Sequence, residues 1–195
     1  MPVAGELTFK NNENKESKYM LQHLQHRTPS EHIFDATERR LELQFTHFAF
    51  DGKKTNPAQQ LILVLTFNLD PNAKNPLLES LVEANGQLKV GKAVSFPEFS
   101  SYMNRTSYFN FYAYEGSQTV PSCEENVLFL VVQQSLGATP AQIAAFESML
   151  NDRDFKDGNT RLVQQVGDRK ISMRVLPSLA LTLLPSALAF IYLIH

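Results

Sequence analysis

The feature that most constrains the fold is an apolar run over residues 61–67, with the sequence Leu-Ile-Leu-Val-Leu-Thr-Phe. A strand that is apolar at both odd and even positions has no face suited to water, so both of its faces must be covered. The run therefore predicts a central strand of a large sheet, over residues 60–68. A second apolar run, at residues 127–132, is expected to lie deep in the same sheet.

Shorter patterns predict the other elements of the fold. Alternating residues, rich in aromatic and β-branched side chains, predict further strands at residues 18–27 and 39–50. Strands are also predicted at residues 107–114 and at residues 126–134, which include the second apolar run. Helical spacing predicts helices at residues 75–84 and 141–151, the second with Thr139 as its N-cap and Pro140 in its first turn. The predicted fold class is therefore mainly β, with a large central sheet and short surface helices.

Length and charge limit the classes of protein that remain. A chain of 195 residues suits one domain with a sizeable core, and 14 Phe and 6 Tyr indicate that this core is rich in aromatic rings. The 18 Lys and Arg residues nearly offset the 20 Asp and Glu residues, and no basic stripe is present. We therefore expect no nucleic-acid partner and no purely electrostatic attachment to a membrane.

The end of the chain forms a separate apolar tail at residues 173–195, which follows a domain at residues 1–172. No charged residue occurs from Val175 to Ile194, and these 20 residues are about enough for a membrane-spanning helix. Two prolines interrupt the stretch and almost nothing follows it. A cleaved signal for a glycosylphosphatidylinositol (GPI) anchor is therefore the preferred interpretation, with Gly167 or Ser172 as weak attachment candidates. A retained membrane helix and a buried terminal helix are the alternatives.

The tail predicts a membrane-associated protein of the secretory pathway or the cell surface. Asn104-Arg105-Thr106 is a glycosylation sequon, which makes Asn104 a candidate acceptor in a secretory protein. No signal-peptide pattern follows Met1.

Four segments resemble, in the same order, motifs of the alpha carbonic anhydrase family. They are Thr28-Pro29-Ser30-Glu31-His32, Leu41-Glu42-Leu43-Gln44-Phe45-Thr46-His47, the segment from Tyr112 to Cys123, and the segment from Asn159 to Gln165 with the later Arg169. Each motif alone is short enough to recur by chance, but four in order cover residues 5–172. The resemblance implies a large, twisted central sheet.

The resemblance implies that this sequence lacks the N-terminal part of the family's domain. Family members open with a Trp- and Tyr-rich segment and further strands. Extracellular members pair the cysteine equivalent to Cys123 with one in that opening, whereas this sequence has a single Cys and no Trp. An incomplete gene model is the preferred interpretation, and a shortened paralogue with a free thiol is the alternative.

The resemblance places the three zinc-ligand positions of the family at Gln25, Arg27 and Gln44. Catalytic zinc sites use ligands such as neutral imidazoles and keep one position open for water. An amide oxygen is a weak ligand, and a protonated guanidinium has no lone pair to offer. We therefore expect no metal, no cofactor and no active catalytic residue.

Other elements of the family's site are retained as vestigial groups. Glu31 matches the glutamate that orients a gatekeeper threonine, and Thr119 matches that threonine. Glu42 matches the carboxylate that bonds a ligand histidine, and it is expected to contact Gln44 or Arg27 instead. Arg27 with Thr119 forms a candidate pocket for a small anion such as bicarbonate, although Gln118 replaces the usual leucine of the pocket wall.

Histidines at other positions offer one route to a different metal site. Strand alternation places His23 on the face of Gln25 and Arg27, and it places His26 and His47 on the opposite faces of their strands. A local β-bulge could bring His26 round. The more economical interpretation is that His26 and His47 are structural.

The sequence therefore predicts a catalytically inactive carbonic-anhydrase-related protein, a membrane-tethered binding or structural module without zinc. The alternative is an active zinc carbonic anhydrase, which hydrates CO2 to bicarbonate through a rearranged metal site. A third possibility is a truncated product that does not fold stably, because missing strands expose sheet edges.

Overall fold

The apolar run lies in a long strand near the middle of a sheet. The computed structural model describes residues 5–10, 15–87, 94–95, 110–121, 123–150, 158–175 and 190–193. The strands in these ranges are β1 (Glu6–Lys10), β2 (Glu16–Arg27), β3 (Ile33–Phe34), β4 (Thr37–Glu38), β5 (Leu41–Phe50), β6 (Thr55–Leu69), β7 (Val94–Ser95), β8 (Asn110–Gly116), β9 (Val127–Val132), β10 (Leu136–Ala138), β11 (Ser172–Val175) and β12 (Phe190–Leu193). The helices are α1 (Pro76–Gln87) and α2 (Pro140–Ser148).

The predicted mainly β fold is confirmed as a mixed sheet organised around β6. Within the described ranges the sheet has 10 strands in the order β11-β8-β9-β6-β5-β2-β12-β7, with β1 on β2 and β10 on β6. Strand β6 pairs antiparallel with β5 and parallel with β9. The short strands β3 and β4 form a separate hairpin.

Both faces of β6 are covered, as the apolar run predicts. Leu61, Leu63 and Leu65 belong to the larger core cluster, which includes side chains of α1 and α2. Ile62 and Val64 belong to a second cluster, formed with apolar side chains of β9. We call the first side of the sheet the helix face and the second side the pocket face.

Helix α2 begins where the sequence indicates. The Thr139 hydroxyl accepts a hydrogen bond from the backbone N–H of Gln142, and the Gln142 side chain accepts one from the backbone N–H of Thr139. This capping box satisfies two N–H groups that the first turn leaves without helical partners. The helix ends at Ser148, three residues before the predicted end.

The structure describes only part of the predicted tail. Strand β11 crosses the predicted boundary at residue 172 and pairs with β8, and β12 lies beside β2. The intervening residues 176–189 and the sequon residue Asn104 lie outside the described residues. No helix in the described part of the chain is long and apolar enough to cross a membrane. The membrane helix and the anchor signal therefore stay predictions.

Candidate functional site

The pairing of β2 with β5 brings the three implied ligand positions together. In this register Gln25 lies opposite Gln44, and Arg27 lies opposite Glu42. Directly opposed residues of two antiparallel strands point to the same side, and residues two apart on one strand share a face. The three positions therefore share the pocket face of the sheet, and all three side chains are buried.

Arg27 is paired with a carboxylate inside this site. Its Nε lies 3.1 Å from Oε1 of Glu31, and the two side chains are only 8% and 7% exposed. Its Nη2 donates to Oε1 of Gln25 at 3.0 Å and to Oγ1 of Thr119 at 3.3 Å. The structure thus brings Arg27 and Thr119 together, and the guanidinium is neutralised by the protein itself.

Gln44 joins the two buried carboxylates of the site. Its side-chain nitrogen Nε2 donates to Oε2 of Glu31 at 2.9 Å and to Oε1 of Glu42 at 2.7 Å. An amide NH₂ group has two hydrogens, so it can serve both acceptors. Of the two expected contacts of Glu42, the structure shows the one with Gln44.

Glu42 is fully buried and is held mainly by His32. The backbone N–H of His32 donates to Oε2 of Glu42 at 2.9 Å, and the ring Nδ1 lies 3.0 Å from Oε1. The other ring nitrogen, Nε2, lies 2.7 Å from the hydroxyl oxygen of Tyr114. This places the imidazole between a carboxylate and a phenol.

The charges of this pair stabilise each other. Burial acts to lower the pKa of His32, but the charge and hydrogen bond of Glu42 outweigh it, so the pKa of His32 is raised. Burial acts to raise the pKa of Glu42, but the attraction to His32 outweighs it, so the pKa of Glu42 is lowered. Burial, followed by the charge of Glu42, raises the pKa of Tyr114. In its protonated form, His32 donates from Nδ1 to Glu42 and from Nε2 to the hydroxyl oxygen of Tyr114.

A segment after α2 fixes the loop that carries Glu31 and His32. Asn159 accepts from the backbone N–H of Thr28 at 3.0 Å and donates to the carbonyl oxygen of His26 at 2.8 Å. Gly158 has φ +105°, and a Cβ at this position would lie 2.3 Å from the Thr28 carbonyl oxygen. The close approach of the two backbones therefore requires glycine.

Of the other histidines, His23 lies on the same face of β2 as Gln25, but His26 and His47 do not join it there. His26 packs on the helix face, with its ring 5.5 Å from that of Phe146. Nδ1 of His47 lies 2.8 Å from the carbonyl oxygen of Phe45, and burial lowers the pKa of His47 to about 4. The bulge in β2 lies between Leu21 and His23, so it precedes the histidines and does not bring His26 to the pocket face.

The donor chemistry of the site does not fit a zinc ion. Zinc is bound in proteins by imidazole, thiolate or carboxylate groups, whereas Arg27 presents a protonated guanidinium. The oxygen of Gln25 already accepts from Arg27, and Gln44 turns its NH₂ group towards the carboxylates. Among the described residues, no group of three or more His, Cys, Asp or Glu side chains is arranged to hold a metal ion.

Two residues of the network were not predicted as site residues from the sequence. His32 directly follows Glu31 in the first motif, and this adjacency is the signal that could have placed His32 near the site. Tyr114 lies 82 residues further along the chain, and only the fold brings it to His32. Gln118, expected at the pocket wall, donates its side-chain amide to Gln60.

Comparisons with known proteins agree with this fold. The family model of the eukaryotic-type carbonic anhydrase matches residues 6–175. A carbonic anhydrase of Nostoc sp. is 30% identical over 143 residues, which covers 73% of this chain and 49% of that protein. Carbonic anhydrase 1 of Oryctolagus cuniculus is 28% identical over 131 residues, which covers 64% of this chain and 55% of that protein. The chain therefore spans about half the length of these curated relatives.

A similar fold occurs in solved structures. A carbonic anhydrase from Chlamydomonas reinhardtii, solved in complex with acetazolamide, superposes with a TM-score of 0.61 at 21% sequence identity. The superposition covers 80% of this chain and 66% of that structure. At this identity the likeness shows the fold alone.

Proposed function

This chain belongs to the eukaryotic-type carbonic anhydrase family, and we propose that it is a catalytically inactive, carbonic-anhydrase-related protein. On this proposal the scaffold works as a binding or structural module without zinc, and the apolar tail tethers it to a membrane. Family membership establishes a scaffold, but the residues of the site decide whether the scaffold is active.

The observation that carries the proposal is the position of Arg27. Its guanidinium lies among the implied ligand positions and pairs with Glu31 at 3.1 Å. A fixed positive charge repels a divalent cation, and arginine remains protonated at any physiological pH. Gln44 supports the same conclusion, because its amide nitrogen donates to Glu31 and Glu42. These contacts form a closed network of protein groups.

The alternative is an active hydratase with a rearranged zinc site built from His23, His26 and His47. Such a site needs imidazoles on one side of the sheet, and the contact of His26 with Phe146 opposes it. It also needs His47 to give up its bond to the carbonyl oxygen of Phe45. Both changes require a different register of the strands.

Binding of bicarbonate at Arg27 and Thr119 is a secondary hypothesis. Nη2 of Arg27 lies 3.3 Å from Oγ1 of Thr119, so one oxyanion could contact both groups. The pairing of Arg27 with Glu31 works against it, because the positive charge is already compensated. Titration of the protein with labelled bicarbonate, with Arg27→Gln as the control, tests this hypothesis.

Zinc content and CO2 hydration test the proposal together. The full chain is purified, treated with a chelator, offered zinc and dialysed, and metal is then counted by mass spectrometry. Stopped-flow hydration is measured on the same sample, with an active carbonic anhydrase treated identically as the control. We expect no stoichiometric zinc and no hydration above background. One zinc per chain together with hydration would overturn the proposal, and His23, His26 and His47 would then be substituted.

Membrane attachment is tested in cells. Release of the protein from the cell surface by a phospholipase specific for phosphatidylinositol supports a GPI anchor. A detergent-phase protein that keeps a C-terminal epitope tag supports a retained helix instead. If the protein is recovered in the aqueous phase before any phospholipase is added, the proposed tether is contradicted.

A further inference from the structure

A cavity adjoins the polar site and has a different character. Its volume is about 510 Å³, within the range of about 300–1,000 Å³ that is usual for small-molecule sites. Glu31 and Thr119 form part of its lining, but none of the three implied ligand positions does. It therefore shares residues with the polar network but contains none of the implied ligand positions.

The walls of this cavity form an apolar slot. On the sheet side, the rings of Tyr114 and Phe129 are stacked, with centroids 4.9 Å apart and planes 5° apart. Leu162, Val166 and Ile171 also line the cavity, and all three are exposed. These aromatic and aliphatic side chains give the cavity a lining that suits a ligand with an apolar body.

The charges around the cavity favour an anion. Arg161 and Arg169 both line it, and the guanidinium carbon of Arg169 lies 5.9 Å from the centre of the Tyr114 ring. No carboxylate of the described residues lies within salt-bridge distance of either guanidinium. The carboxylates of the adjoining site are already compensated, since Glu31 pairs with Arg27 and Glu42 pairs with His32.

We propose that this cavity binds a small organic anion with a flat apolar body, such as an aromatic carboxylate, whose charge is met by Arg161 and Arg169. The apolar slot supplies affinity through burial of the ring, and the two guanidinium groups select the charge. This inference names a ligand class for the binding role proposed above. Its test measures ligand binding rather than zinc or hydration, so either proposal can fail alone.

Calorimetric titration with two probes of the same shape tests the inference. The probes are 2-naphthoate and the neutral 2-naphthalenemethanol, and the protein is the full chain. We expect the acid to bind more tightly than the alcohol by tenfold or more. Arg161→Gln and Arg169→Gln should each weaken binding of the acid about tenfold, as expected for loss of a charge-assisted hydrogen bond, and leave the alcohol nearly unchanged.

Two further variants provide the controls. Val166→Trp fills the slot from a residue that is 50% exposed, so it should abolish binding of both probes without disturbing the core. Arg40→Gln removes an exposed guanidinium from a site outside the cavity lining and should leave binding unchanged. Equal affinities for the acid and the alcohol, unchanged binding by Val166→Trp, or no binding of 2-naphthoate would each overturn the inference.

Discussion

The ion pair between Arg27 and Glu31 predicts a large loss of stability when Arg27 is replaced by methionine. Met keeps a long unbranched side chain, but it leaves the Glu31 carboxylate buried without its cation. The two side chains are 8% and 7% exposed, and removal of one partner of such a pair typically costs about 3–5 kcal/mol. Glu31 retains hydrogen bonds from Gln44 and from the backbone of Arg161. We therefore expect the lower end of this range, about 3 kcal/mol.

A double-mutant cycle separates the ion pair from general damage to packing. Glu31→Gln alone leaves Arg27 buried and unpaired, so it should cost a similar amount. The double variant, Arg27→Met with Glu31→Gln, removes both charges and should cost well below the sum of the single losses. Urea unfolding, followed by circular dichroism at neutral pH, measures the free energy of unfolding of the wild type and of the three variants.

An exposed pair provides the matched control. Arg40 lies 3.0 Å from Glu147, but these side chains are 60% and 45% exposed. Arg40→Met should therefore change the free energy of unfolding by less than about 1 kcal/mol. The reasoning fails if Arg27→Met costs no more than Arg40→Met, or if the losses at Arg27 and Glu31 simply add.

Three further predictions concern pH and local structure. Burial lowers the pKa of His47 from 6.5 to about 4. The neutral ring therefore makes its full contribution to the free energy of unfolding above pH 6.5, where it is neutral in both the folded and the unfolded state. About 3 kcal/mol of that contribution should be lost as the pH falls to 4, and His47→Gln should remove this loss in urea unfolding across that pH range. Gly158→Ala should cost at least about 1 kcal/mol, since its Cβ meets the Thr28 carbonyl oxygen, and a lower Tm checks this. Thr139→Ala should lower the free energy of unfolding by about 1 kcal/mol, because the N-cap hydrogen bond is lost. Thr139→Ser keeps a hydroxyl at this position and should retain most of that stabilisation in the same assay.

The fold was predictable to the extent that local patterns specify it. The run at residues 61–67 has apolar residues on both faces, and β6 is covered on both faces. The cap at Thr139 follows from residue types that lie three apart. Strands β3 and β10 have two and three residues, and so short a segment carries no readable period.

The three implied ligand positions of the candidate site were predictable, but His32, Tyr114 and the partners of each side chain were not. The resemblance indicated Gln25, Arg27 and Gln44, and the strand register places these three residues on one face. The sequence left open whether Glu42 contacts Gln44 or Arg27, because that choice depends on the loop that carries Glu31. This loop is held by Asn159, which lies 131 residues from Thr28. Contacts across such a separation do not follow from local pattern.

The network explains why restoring histidines would couple folding to metal binding. Gln25→His, Arg27→His and Gln44→His together return the family's ligand set, but they remove the cation of Glu31 and the amide that serves Glu31 and Glu42. Without metal, this triple variant should be less stable than the wild type by about 3 kcal/mol or more. Zinc that binds the folded state at 1,000 times its Kd would add about 4 kcal/mol, so the Tm of the variant should rise with zinc while that of the wild type does not. If the triple variant is as stable as the wild type in the presence of a chelator, then Arg27 and Gln44 do not stabilise the buried carboxylates. The argument for a closed network would then fail.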